Sequence, residues 1–139
     1  MAIIRRSTAV WQGTGKDGNG RISSQSGVLK DTPYNFGMRF GDQPGTNPEE
    51  LIASAHAGCF SMKLAFNLQG IGVDPKEIKT DCAIVFEEGT IVESRLKVHV
   101  MADGLDQTAF EAQVKDAEVN CPISKLLNAK ISVEAKLNG

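Results

Sequence analysis

Apolar and polar residues alternate with a period of two in some stretches of the chain and recur every three to four positions in others, and glycine, proline and asparagine mark the changes. RSTAVWQ (6–12) predicts an extended strand, GTGKDGNG a turn, and RISSQSGVL a return to strand-forming residues, together a hairpin with a loose tip. In DTPYNFGMRFGDQPGTN, Tyr34, Phe36, Met38 and Phe40 alternate with Asn35, Gly37, Arg39 and Gly41. That period predicts a half-buried strand with Arg39 on its polar side, where a solvated surface arginine is the commoner reading.

TNPEELIASAHAGCFSMKLAFNLQG carries the strongest helix signals: Asn47 as N-cap, Pro48 at the first helical position, Glu50 closing a capping box and Gly70 as a stop. Ile52, Ala55, Cys59, Met62 and Phe66 recur at steps of three and four, predicting an apolar stripe that contains Cys59. Ala53, Ala57 and Gly58 leave the remaining faces weakly polar and open to close approach. At 1.5 Å per residue the helix would run roughly 35 Å, about the diameter of a domain this size, so it needs cover on several sides. A dimer wrapped around this helix is the expected solution.

Beyond IGVDPKE, residues 78–86 and 90–101 predict two long strands around EEGT. A second helix is expected at 106–119, capped by Thr108-x-x-Glu111 and burying Phe110, Val114 and Ala117. Pro122 ends it and suits the first turn of a new short helix with Cys121 as N-cap, before KISVEAKL closes as a strand. The order predicts an α+β fold, a single domain over 1–139.

Composition narrows the function classes. The 139 residues are 41% hydrophobic and 23% charged with net charge -2, an ordinary globular balance. The longest basic cluster is Arg5-Arg6, so no footprint for nucleic acid or an anionic membrane is present. No run has the length of a signal peptide core or a membrane span, and a cytoplasmic protein is expected. Gly13-x-Gly15-x-x-Gly18 matches a dinucleotide fingerprint superficially, but β-prone residues follow it where a helix is required. Cys59, Cys82 and Cys121 make an odd count in a chain too long to need stapling, which suits a reducing compartment and a transient disulfide.

Taken singly, each cysteine reads as a small core residue. A reactive thiol needs its anion stabilised, because at its reference pKa of about 8.5 only a few per cent is thiolate at neutral pH. Cys59 sits in a helix interior, where apolar burial alone would raise its pKa; a fixed guanidinium would reverse this, two units requiring about 2.7 kcal/mol. Cys121, at a helix start before proline, is a reasonable second thiol.

TNPEELIASAHAGCFSM followed by NCPISKLL, with QSGVL and MRF ahead of them, resembles the OsmC/Ohr family of organic hydroperoxide peroxidases over essentially the full chain, and the OsmC branch more closely. The resemblance implies an OsmC-like fold of antiparallel sheets packed around a long central helix in an intertwined homodimer. It also implies a peroxidatic Cys59, a resolving Cys121, no family role for Cys82, and an Arg and a Glu beside the thiolate. NPEEL supplies Glu49 and MRF supplies Arg39. In the Ohr branch the arginine lies in a Gly-Gly-Arg-Asp-Gly hairpin tip, where this chain has Lys16; Arg39 is preferred because its rigid, bidentate donors suit holding a thiolate and a peroxide oxygen together.

Glu49 and Cys59 stand ten positions apart on one helix, about 15 Å along its axis and some 80° around it, so Glu49 is expected to serve the Arg-Cys pair of a second subunit. The implied activity is reduction of an organic hydroperoxide in oxidative or osmotic stress defence, through a sulfenic acid and an intramolecular disulfide. Neither metal nor cofactor takes part, and a dithiol, by resemblance a lipoyl protein, resets the enzyme. Ile52, Phe60 and Met62 are expected to favour an apolar substrate. Three rivals compete: a metal module built on His56 and Cys59 with Cys121 or His99, a non-catalytic dimeric stress or binding protein, and a Cys-His acyl transferase.

Overall fold

The computed structural model describes all residues, 1–139, and the chain forms two compact units, Met1–Leu51 and Ile52–Gly139. In the first, β1 (Ser7–Gln12), β2 (Asn19–Ser24) and β3 (Thr32–Tyr34) make an antiparallel sheet in that order. Gly20 is required there: a Cβ on it would lie 2.4 Å from the Tyr34 ring and 2.5 Å from Trp11, whose rings cover it with centroids 5.3 Å apart. After β2 the chain leaves the sheet at Ser24, and the QSGVL segment forms a loop tied by the amide of Leu29 to Ser24 Oγ.

The strand expected through residues 34–40 stops at Tyr34 and gives way to a short helix, α1 (Phe36–Phe40). Asn35 caps it, its side chain accepting from the amide of Met38 at 2.9 Å, and Gly41 N–H closes the other end on Gly37. The alternation misled because apolar residues at every second position also stand four apart. Phe36 and Phe40 use that spacing, with ring centroids 5.0 Å apart.

α2 (Pro48–Gly70) has the predicted bounds, with Asn47 Oδ1 accepting from the amide of Glu50 at 2.8 Å. Its buried stripe differs from the expected one. His56, Phe60, Leu64 and Leu68 have no exposure, whereas Met62 and Phe66 are 64% and 63% exposed. The true stripe advances in strict steps of four and contains a histidine, which a count of apolar residues passes over. Phe60, fully enclosed, is thereby a core residue and not part of a substrate surface.

In the second unit, β4 (Glu77–Glu87) and β5 (Thr90–Met101) form a hairpin whose two-residue loop has positive φ at Glu88 and Gly89, the turn that matches strand twist. Leu96, Val98 and Val100 point inward from β5 onto Phe60, Leu64 and Leu68, while Arg95 and Lys97 point out. α3 (Gln107–Asn120) adds Phe110, Val114 and Ala117 to this core. Its cap is Asp106, accepting from the amide of Ala109 at 2.8 Å, and not Thr108. α3 and α4 (Pro122–Leu126) together form the crossover that lets β6 (Lys130–Leu137) run parallel to β5. No helix is long and apolar enough to cross a membrane.

Candidate active site

Two helices bring the sulfur atoms together. Cys59 lies midway along α2; Cys121 ends α3, its amide bonded to Ala117 O, and begins α4, its carbonyl accepting from Lys125. The kink at Pro122 turns the chain so that Cys121 Sγ, fully buried, lies 2.9 Å from Cys59 Sγ, with both cysteines in the free form. Although 62 positions separate them in the sequence, the two sulfur atoms are in direct contact, as a disulfide between them requires. Burial first, and the Cys121 thiol next, push the Cys59 thiol up from its ordinary range; the backbone N–H of Ile123, in the first turn of α4, opposes them.

Charge is fixed in the other unit. Arg39, in the last turn of α1, holds Glu49, in the first turn of α2, through two parallel hydrogen bonds, Nε to Oε1 at 2.8 Å and Nη2 to Oε2 at 2.9 Å. Asn47 Nδ2 donates to Met38 O and ties the end of α1 to the start of α2, which sets this register. The hydrogen bonds to Glu49, partly offset by burial, raise the arginine further above its ordinary value. Arg39 stacks on Phe40, 5.0 Å from ring centroid to Cζ, at the edge of a recess of about 240 Å³ walled by Trp11, Tyr34, Phe36 and Phe40. Lys16 is exposed in the turn of the β1–β2 hairpin, and its neighbour Gly15 reaches the same recess.

Arg39 and Glu49 therefore come from one chain, which corrects the expectation that the glutamate joins the arginine of a second subunit. The pairs brought together are Cys59 with Cys121 and Arg39 with Glu49.

Sequence reading missed a buried polar chain. His56 Nδ1 lies 2.6 Å from Ser94 Oγ on β5 and Nε2 lies 2.8 Å from Ser124 Oγ on α4; Ser94 Oγ is also 3.3 Å from Cys82 Sγ. Burial lowers the His56 pKa, so the ring is neutral and each hydroxyl takes the role its nitrogen leaves. The available signal was Ser94, a hydroxyl on the otherwise apolar inward face of β5. With both nitrogens of His56 engaged, and no group of three His, Cys, Asp or Glu side chains converging, the metal module has no ligand set. Cys82 is pushed up by burial and held back by Ser94.

A family model described as OsmC-like protein matches residues 41–136. Peroxiredoxin OsmC of Escherichia coli (strain K12) is 38% identical over 141 residues, 99% of each chain. An organic hydroperoxide resistance protein of Xanthomonas axonopodis pv. citri is 31% identical over 76% of this chain and 75% of its own. Among solved structures, an OsmC-like protein from Mycoplasma pneumoniae aligns over 100% of both chains with a TM-score of 0.76 at 15% identity, a likeness of fold.

Proposed function

Because the chain belongs to the OsmC-like family, we infer that it is a thiol-dependent peroxidase that reduces organic hydroperoxides in stress defence. The observation that carries this reading is the 2.9 Å approach of Cys59 and Cys121 Sγ. Cys59 thiolate attacks one peroxide oxygen of ROOH; the O–O bond breaks, ROH leaves with a proton, and Cys59 becomes a sulfenic acid. The Cys121 thiol then attacks that sulfur, releasing water and forming the Cys59–Cys121 disulfide. An external dithiol, a lipoyl protein in this reading, returns both thiols, and the reducing cytoplasm is where such a cycle can run.

The thiolate requires a cation, since burial in the single chain favours the protonated thiol. We assign that role to Arg39, whose guanidinium Glu49 holds in a fixed plane from which it can face the sulfur and the departing oxygen. Glu49 stands about 15 Å along α2 from Cys59. The active site is therefore composite: the Arg39–Glu49 pair of one copy serves the sulfur pair of another in a homodimer. The exposed apolar residues of α2, Met62 and Phe66, supply a surface for such a partner. The aromatic recess beside Arg39 receives the R group, which favours alkyl or aryl hydroperoxides over hydrogen peroxide.

Stopped-flow consumption of cumene hydroperoxide against hydrogen peroxide, followed by mass mapping of the disulfide, tests the scheme. Preference for the organic peroxide and a Cys59–Cys121 link are expected. No peroxide consumption, or a link through Cys82, would overturn it.

A further inference from the structure

The Ser124–His56–Ser94 chain has no part in the peroxide chemistry, yet it joins the sheet, the helix of Cys59 and the helix of Cys121. α4 has five residues, too few to be stable on its own, and Leu126 at its end is 74% exposed. Its buried residue is Ser124, whose hydroxyl meets His56 three positions before Cys59, one turn away on the same side of α2. The imidazole is in turn held by Ser94, so it has little freedom to follow α4 if that segment moves. Two things depend on where α4 rests: the position of Cys121 Sγ and the aim of the Ile123 amide at Cys59 Sγ.

We propose that His56 is a positioning residue for the resolving step, a latch that grips Ser124 and holds Cys121 against Cys59. The inference deepens the peroxidase reading and rests on it for its catalytic consequence, but the latch itself is a property of the reduced protein. With Ser124 released, α4 samples conformations in which Cys121 leaves Cys59. Ring closure then slows in proportion to the fraction of time spent there, while attack of Cys59 on peroxide does not need Cys121 and changes little, because the departing α4 takes away both the Ile123 amide that favours the thiolate and the Cys121 thiol that opposes it.

The test uses Ser124→Ala and the rescue variant Ser124→Thr, which retains the hydroxyl. In reduced full-length protein, iodoacetamide labelling read cysteine by cysteine by mass spectrometry should show Cys121 reacting about tenfold faster in Ser124→Ala, the scale of one buried hydrogen bond, with Cys82 within about twofold of wild type. After one equivalent of cumene hydroperoxide, the same variant should close its disulfide about tenfold more slowly, and dimedone should trap more Cys59 sulfenic acid, with the first oxidation within about twofold. Ser124→Thr should restore both. His56→Leu should act in the same direction; if it does not fold, the two Ser124 variants decide alone.

Unchanged Cys121 labelling and unchanged closure in Ser124→Ala would overturn the latch. So would equal acceleration of labelling at all three cysteines with a lowered Tm, the mark of general loosening. A wild type that consumes no hydroperoxide would sink the peroxidase reading, while the labelling experiment would still decide for or against the latch.

Discussion

The sulfur pair and the Arg39–Glu49 pair are built on opposite physical terms. Cys121 has no exposure and Cys59 is partly buried, set among apolar side chains with only the Ile123 amide favouring a thiolate. Arg39 is 35% exposed and is locked into a planar, bidentate geometry by a charge of opposite sign. The first setting protects a sulfenic acid from water but leaves the thiol protonated; the second holds charge in place but has no nucleophile. Each supplies what the other lacks, and the proposed chemistry calls on both.

The largest effects come from the sulfur pair. Cys59→Ser should abolish turnover, a loss beyond about 10³-fold, because a serine hydroxyl is not a nucleophile toward peroxide without a base. Cys121→Ser should keep a single oxidation of Cys59, seen as one equivalent of alcohol, and lose efficient recycling. Equal, undiminished multiple turnover in the two variants would break the division of labour between the sulfurs.

Changes to the charged pair come next. Arg39→Met should lower the rate of Cys59 oxidation by about 10²-fold to 10³-fold, the range seen when one preorganised donor is removed. Arg39→Lys should recover little of this, since an ammonium lacks the planar fork. Glu49→Gln, which leaves the guanidinium in place but loosens it, should cost about tenfold, the scale of one charge-assisted hydrogen bond. Single-turnover peroxide consumption measures all three, and a Glu49→Gln defect larger than that of Arg39→Met would reverse the assigned roles.

A pH experiment sharpens the same contrast. In Arg39→Met, Cys59 keeps the raised pKa of its buried setting, so its alkylation midpoint should lie above the ordinary thiol value of about 8.5. The unfolded chain then binds fewer protons than the folded one just above that value, and stability contributed by the protonated thiol is lost as pH rises from about 8.5 through the folded pKa. Thermal melts of Arg39→Met should therefore fall more steeply in alkali than those of Cys59→Ser/Arg39→Met. With Arg39 present in the proposed dimer, the midpoint should drop below about 8.5, and dilution that separates the copies should raise it again. A midpoint independent of both Arg39 and dilution would mean that the charge never reaches the sulfur.

How much of this was legible in the chain follows the physics of each signal. α2, the β4–β5 hairpin and the apolar face of α3 were readable because they rest on long local patterns and, for α2, on a strong start at Asn47 and Pro48 and a stop at Gly70. α1 was not, because its seven-residue alternation fits a strand and an i,i+4 helical pair equally well and the decision fell to one asparagine cap. The pairing of Cys59 with Cys121 came from family resemblance, since no spacing rule links residues on two helices. The stripe of α2 was displaced by His56, whose burial depends on two serines at positions 94 and 124, contacts that no local pattern encodes.

The smallest expected effect separates support of the sulfur pair from support of the charged pair. α3 carries Cys121 at its end, and its start depends on the bond from Ala109 N–H to Asp106 Oδ1, whereas Thr108 makes no such cap. Asp106→Ala should cost about 1 kcal/mol of stability and Thr108→Ala only a few tenths, measured by urea unfolding at constant m. Fraying of the first turn does not reach the Ala117–Cys121 hydrogen bond, three turns on, so Cys121 labelling should rise far less than in Ser124→Ala. Arg39 and Glu49 are anchored by Asn35 and Asn47 and should not respond at all. A loss in Thr108→Ala as large as in Asp106→Ala would restore the capping box that the residue pattern alone suggests.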